Sequence, residues 1–246
     1  METLGIDLAS DPGRTALCAI RWERGAARVT ALRGRGADDE LLAAHAAADV
    51  TGIDSPFGWP AAFLAFLCGT SRLSAGAATS WSGDLARTLR YRATDAAVRD
   101  LTGRWPLSVS SDLIAVVAMR CQGLLARMGV GDRSGDGRVF EVYPAAALRR
   151  WGLPALGYKG PRGTPVRREI VRGLRAQAPW LGISGSREET LVADDDALDA
   201  LVSALNARAA ALGLTVRPGA EVRHEAAREG WIAVPLEGSL GKLAGE

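Results

Sequence analysis

Asp7 and Asp54 each close a short apolar run that reads Gly-Ile-Asp, in "LGIDLAS" and "VTGIDSP". Glu141 lies inside a third apolar run, "VFEVYPAAAL", and Asp196 and Asp199 stand three residues apart in "DDALDALVSAL". On a helix, positions three apart share a side, so those two acids project together. Clustered carboxylates repel, and each holds the others protonated unless a cation neutralises them. A hard divalent ion, Mg²⁺ or Mn²⁺, takes oxygen ligands, keeps several waters and commonly bridges a substrate phosphate. Acids in this number, with no histidine among them, predict a one- or two-metal phosphoryl site.

Each acid alone also has a simpler reading. Asp54, two residues before Pro56, fits a turn; Asp195 and Asp196 fit helix caps favoured by the macrodipole; Glu141 fits an edge-strand surface acid. Asp7 resists such a reading, because an acid inside the first hydrophobic strand is costly to bury unless something pairs with it. The joint pattern favours a site.

The elements that must position these acids are legible in the patterning. "LGIDLAS", "RTALCAIRWE" and "ARVTALRG" read as three strands punctuated by Pro12-Gly13 and Arg24-Gly25, an antiparallel meander. A helix over "DDELLAAHAAA", from Asp38 to Ala48, returns the chain so that "VTGIDSP" lies parallel beside the first strand. Residues 57 to 137 read as an inserted helical cap, with a Pro/Gly/Trp-rich loop, the stretch "SAGAATSWSG", helices around Thr94 to Leu101 and Ser111 to Met128, and the turn "GVGDRSGDGR". A fifth strand then runs to Pro144 and into a helix. Residues 159 to 177 are basic and helical, and Asp195 to Leu212 is the clearest amphipathic helix, with Leu198, Leu201, Val202 and Leu205 on one face. "GWIAVP" predicts a short strand at a sheet edge.

Composition narrows the class. The chain has 246 residues, 48% hydrophobic and 24% charged, with a formal net charge of +2, which is ordinary for a folded domain and uninformative about polyanion or membrane partners. Lysine occurs only at Lys159 and Lys242 while arginine and alanine abound, as a GC-rich coding sequence would produce. Cys18, Cys68 and Cys121 are odd in number and widely spaced, which fits neither a disulfide framework nor a Cys-based metal site. The chain enters its first strand without a basic leader and contains no long apolar run, so a cytoplasmic protein with no membrane span is expected.

Two further groups of residues are candidates for substrate contact. Arg92, Asp95 and Arg99 share one helical face, which from spacing alone is a salt-bridge ladder. Lys159, with Arg162, Arg167, Arg168, Arg172 and Arg175, forms a basic patch that serves equally as a solvated helix face or as a seat for a nucleic-acid backbone. His45 and His224 match no metal-ligand spacing. Gly13 stands where a phosphate-binding hairpin would follow a first-strand Asp, without a second such loop after Asp54.

The order of acids resembles that of the RNase H-like superfamily, and the acidic helix is similar to that of Holliday-junction resolvases. More closely, the two "GID" runs, "RATDAAVRDLTG", "FEVYPAAAL", "DDALDALVSALNAR" and "EGWIAVP" resemble the domain of unknown function 429, described as predicted RNase H-fold nucleases, over nearly the whole chain. The resemblance implies a single α/β domain over residues 1–246, a mixed five-stranded sheet of order 3-2-1-4-5 flanked by helices, and the helical insertion between strands 4 and 5. It implies metal ligation by Asp7, Asp54, Glu141, Asp196 and Asp199, and turns Arg92, Asp95 and Arg99 towards substrate along with Lys159. The expected activity is a metal-dependent nuclease using Mg²⁺ or Mn²⁺, with nucleic acid or a nucleotide as partner. The alternatives are an actin-like nucleotide-binding or phosphotransfer protein, in which the same acids hold a nucleotide's Mg²⁺, and a non-catalytic RNase H-like binding scaffold.

Overall fold

β1 (Glu2–Asp7), β2 (Ala16–Glu23) and β3 (Ala26–Gly34) form the antiparallel meander, because the turns between them leave too little chain for a crossover. The computed structural model describes residues 1–70 and 80–245. Most of the "SAGAATSWSG" stretch lies outside the described residues. Helix α1 (Asp38–Ala47) then carries the chain back, and β4 (Val50–Asp54) pairs parallel to β1. Helices α2 (Ala61–Leu67), α3 (Gly83–Arg90), α4 (Ala93–Thr102) and α5 (Ile114–Met128) precede β5 (Val139–Glu141), which joins β4 in parallel. The chain continues through α6 (Pro144–Arg150), α7 (Thr164–Gln177), β6 (Leu181–Gly182), α8 (Gly185–Ala193), α9 (Asp195–Ala211) and α10 (Arg223–Glu229).

Among the described residues the protein is a mixed α/β structure with one six-stranded sheet, ordered β5-β4-β1-β2-β3-β6. The five-stranded sheet expected from the sequence omits β6, which adds parallel to β3 at the far edge. Two residues are too few to show a strand period, so this strand was invisible to patterning. "GWIAVP" contributes two isolated bridges, Ile232 parallel to Glu141 and Pro235 antiparallel to Thr215, rather than a strand. No helix of the described residues is long and apolar enough to cross a membrane.

The sheet is covered on both sides, which is why β1 is buried along its middle without polar alternation. On one face Leu4, Ile6 and Ile53 pack with Leu41 of α1 and with Cys121, Leu124 and Leu125 of α5. Part of the segment between β4 and β5 is thus a layer of the core. On the other face lies α9, nearly every residue of which is buried from Ala197 to Ala210, packed with α7 and with Trp151 after α6. Fully burying such aliphatic side chains contributes about 1.5–3 kcal/mol each. Cys18 and Cys121 belong to these cores, whereas Cys68 is exposed.

Candidate carboxylate site

The repeated Gly-Ile-Asp is a packing device as much as a chemical one. Gly5 and Gly52 are partners in the β1–β4 register, and both lie directly beneath α9. A Cβ on Gly5 would run into the backbone of Ala200 and Ala204, and one on Gly52 would come within 2.7 Å of the Ser203 carbonyl oxygen. Alternate strand residues share a face, so Asp7 and Asp54, each two residues beyond its glycine, emerge on this same side. Two strand residues advance roughly 6.6 Å, and the five helical steps from Ala204 back to Asp199 advance about 7.5 Å. The helix therefore delivers Asp199 to the two strand ends. Carboxylate oxygens of Asp7, Asp54 and Asp199 all lie within 4.8 Å of one another.

The loop between α6 and α7 closes over these acids. The Tyr158 hydroxyl donates to Asp199 Oδ1 at 3.0 Å, and the Lys159 ammonium forms an ion pair with Asp199 and lies 3.8 Å from Asp195 Oδ2. Arg167 fixes this loop from below: it is 1% exposed and donates to the carbonyls of Tyr158 (2.6 Å), Gly160 (2.8 Å), Val192 (2.8 Å) and Ala193 (3.0 Å). On the other side, Arg120 donates to the Ala9 carbonyl at 2.6 Å and to Asp38, tying α5 and α1 to the chain just after Asp7.

Electrostatics follow from this crowding. Burial first, then the Asp199 and Asp54 charges, raise Asp7 well above the usual carboxylate range. Burial and then Asp199 push Asp54 up to about 8. Asp199 also moves up, chiefly through burial, although Lys159 and Tyr158 act in the opposite sense. Burial pulls the Lys159 ammonium down, but Asp199 and Asp7 outweigh it and hold the group charged.

Glu141, expected as a ligand, points elsewhere. Its register partner is Ile53, not Asp54, and one residue of offset turns a side chain to the opposite face of a sheet. There its carboxylate accepts from Arg92 Nη2 (2.7 Å), Arg92 Nη1 (2.9 Å) and the Phe57 N–H (2.9 Å). Arg92 also grips Asp95 through Nε and Nη2 and donates to the Glu229 carbonyl. Every guanidinium N–H is thereby engaged, and with the Arg92 and Asp95 side chains 2% and 1% exposed neither has a group to offer a substrate. Their shared placement is an internal ion network. Arg99 parts from them: its side chain is 54% exposed, paired with Asp100 and set over Trp105.

Asp196 also falls outside the trio, because it lies three residues, about 4.5 Å along the helix axis, towards the N-terminus from Asp199. It groups with Asp194 and Asp195 at the start of α9, where Asp194 caps the helix by accepting from the Asp196 and Ala197 N–H groups. Of the basic patch, Lys159 reaches the acids and Arg167 is buried structure. The Gly13 N–H is taken by Asp11 Oδ1 at 2.8 Å in a turn after β1, so it is not free to cradle a phosphate. His45 is buried against Thr51 and His224 is exposed.

Tyr158 and Arg120 are contributors that sequence reasoning missed, and Arg167, expected only as part of the basic patch, holds the loop in place instead. Arg167 did carry a signal: it repeats in phase with Ile170, Val171 and Leu174, the buried face of α7.

Fold and site define an α/β protein with a carboxylate trio at the ends of two adjacent parallel strands. The chain belongs to the family described as Protein of unknown function (DUF429), whose model matches residues 5–223. All three clustered carboxylates lie within that span. No curated protein matches the sequence.

Proposed function

We propose that this protein is an RNase H-like, divalent-metal-dependent hydrolase of phosphodiester bonds in nucleic acid. The observation that carries the reading is the convergence of Asp7, Asp54 and Asp199 within 4.8 Å. The meander, the return helix and the parallel fourth strand support the RNase H-like assignment together with the sequence resemblance.

The donor set fits a hard cation. One ammonium, Lys159, faces three carboxylates, so the ionised cluster keeps a net negative charge that a divalent ion matches. Asp7, Asp54 and Asp199 would hold Mg²⁺ or Mn²⁺, which supplies Lewis acidity towards a phosphoryl oxygen. Tyr158 spends its single O–H on Asp199 and so fixes the orientation of that carboxylate. The Lys159 side chain is 52% exposed, so its ammonium reaches the acids from solvent and is placed to meet phosphate oxygens arriving there.

The test is incubation of the protein with end-labelled DNA and RNA strands in Mg²⁺ or Mn²⁺, resolved by size. Cleavage that is lost in EDTA and in Asp54→Asn is expected. Intact strands in both metals would overturn the reading.

A further inference from the structure

A cavity of about 440 Å³ opens directly beside the carboxylates, with Asp54, Asp199 and Lys159 among its lining residues. That volume lies within the range of small-molecule sites and suits one nucleotide, not a helix of paired bases. Its wall is unusual for a surface. Trp105, Leu107 and Leu156 are 36%, 63% and 57% exposed, and the loop between α4 and α5 together with the loop after α6 brings all three to this one opening. Apolar side chains gathered on an exposed surface mark a binding site. Trp105 is also braced, its ring stacked on Tyr91 with centroids 4.1 Å apart. A fixed indole costs a ligand little ordering entropy.

Arg104 and Arg149 stand on the same cavity. Among the described residues neither guanidinium has a carboxylate partner, unlike Arg92 in its network or Arg150 against Glu237. The cavity thus offers an aromatic and aliphatic wall, unpaired cations and an acid cluster. A ligand that answers all three has a flat ring, a phosphate for the arginines and a second phosphate for the acid end.

We infer that this cavity takes one unpaired nucleotide of a single strand, its base against Trp105, Leu107 and Leu156, one flanking phosphate at Arg104 and Arg149, and the other presented to Asp7, Asp54 and Asp199. The inference rests on the hydrolase reading and names its substrate class. A base held in a duplex cannot enter without leaving its stack.

Calorimetric titration in Ca²⁺ tests it, with the trinucleotide pTpTpT, the same trinucleotide lacking its bases, and a blunt duplex as probes. Removing the bases, or replacing Trp105 by Ala, is expected to weaken binding by about tenfold, the order measured for stacking one base on an aromatic ring. Trp105→Phe should recover most of it, which a merely misfolded variant would not. Arg149→Ala should weaken the normal and the base-free probes alike, and the duplex should bind no better than the base-free strand. Equal affinity for pTpTpT and its base-free form, or unchanged binding in Trp105→Ala, overturns the inference. The hydrolase reading fails separately: base-dependent binding with no cleavage in Mn²⁺ leaves the pocket standing and removes the nuclease. Equal cleavage of normal and base-free strands does the reverse.

Discussion

Asp7 and Asp54 are register partners on the last rung of the parallel β1–β4 ladder, and their carboxylates leave the same face of the sheet beneath the start of α9. Asp199 descends to them because Gly5 and Gly52 let the helix backbone approach. Like charge is therefore concentrated by the main-chain packing itself.

A divalent cation should stabilise this arrangement through linkage, since the unfolded chain has no such site. Metal at about 100 times its Kd adds about 2.7 kcal/mol, which for a chain of this size raises Tm by roughly 5–10 °C. Asp7→Asn should abolish the shift and raise the Tm of the metal-free protein by relieving repulsion. Thermal melts with and without Mn²⁺ check both; an undiminished shift in Asp7→Asn would remove Asp7 from the ligand set.

The metal-free protein should lose stability as pH rises. Asp54 is pushed up to about 8 from an ordinary 3.8, and Asp7 and Asp199 move the same way. The folded state then binds protons that the unfolded chain has already released, so this contribution is fully present below 3.8 and is lost as pH climbs to about 8. In EDTA the Tm of the wild type should fall relative to that of Asp54→Asn across this window, and Mn²⁺ should erase the difference at its upper end. Parallel curves for the two proteins would contradict the raised values.

Glu141 and Arg92 should behave as structure. Arg92→Ala leaves buried Glu141 and Asp95 without their cation, a loss on the order of 3–5 kcal/mol in urea denaturation. Glu141→Gln should destabilise as well, yet keep the full Mn²⁺-dependent shift in Tm. Loss of that shift in Glu141→Gln would restore Glu141 to the site.

Gly5→Ala should separate the helix from the strand. Its methyl group meets the backbone of Ala200 and Ala204, which cannot rotate aside as a side chain would. A cost on the order of 1–3 kcal/mol or more is expected, together with weaker Mn²⁺ binding as Asp199 moves away from Asp7. Gly123→Ala makes the comparison, because Gly123 lies exposed on α5 with no positive φ and nothing within 4 Å of a Cβ. Equal metal affinity in Gly5→Ala and the wild type would mean that α9 can shift without disturbing the acids.

Alternation and turn residues in the sequence determine the meander, the return helix, the parallel fourth strand and the long helix that carries Asp199, because each rests on neighbours within one run of chain. The two Gly-Ile-Asp runs likewise mark both strand-end acids, since an aspartate closing an apolar strand is legible one residue at a time. Which acids meet is a different matter. Glu141 and Asp54 sit on adjacent strands, but a one-residue register offset, set only when the strands pair, sends Glu141 to Arg92 on the far face. Asp196 and Asp199 are indistinguishable by helical phase, and only the depth at which two glycines seat α9 chooses Asp199. Tyr158 and Lys159 reach the acids from a separate loop that Arg167 of α7 holds in place, and the Trp105 wall comes from another. Such contacts join residues far apart in the chain, so tertiary packing alone decided them.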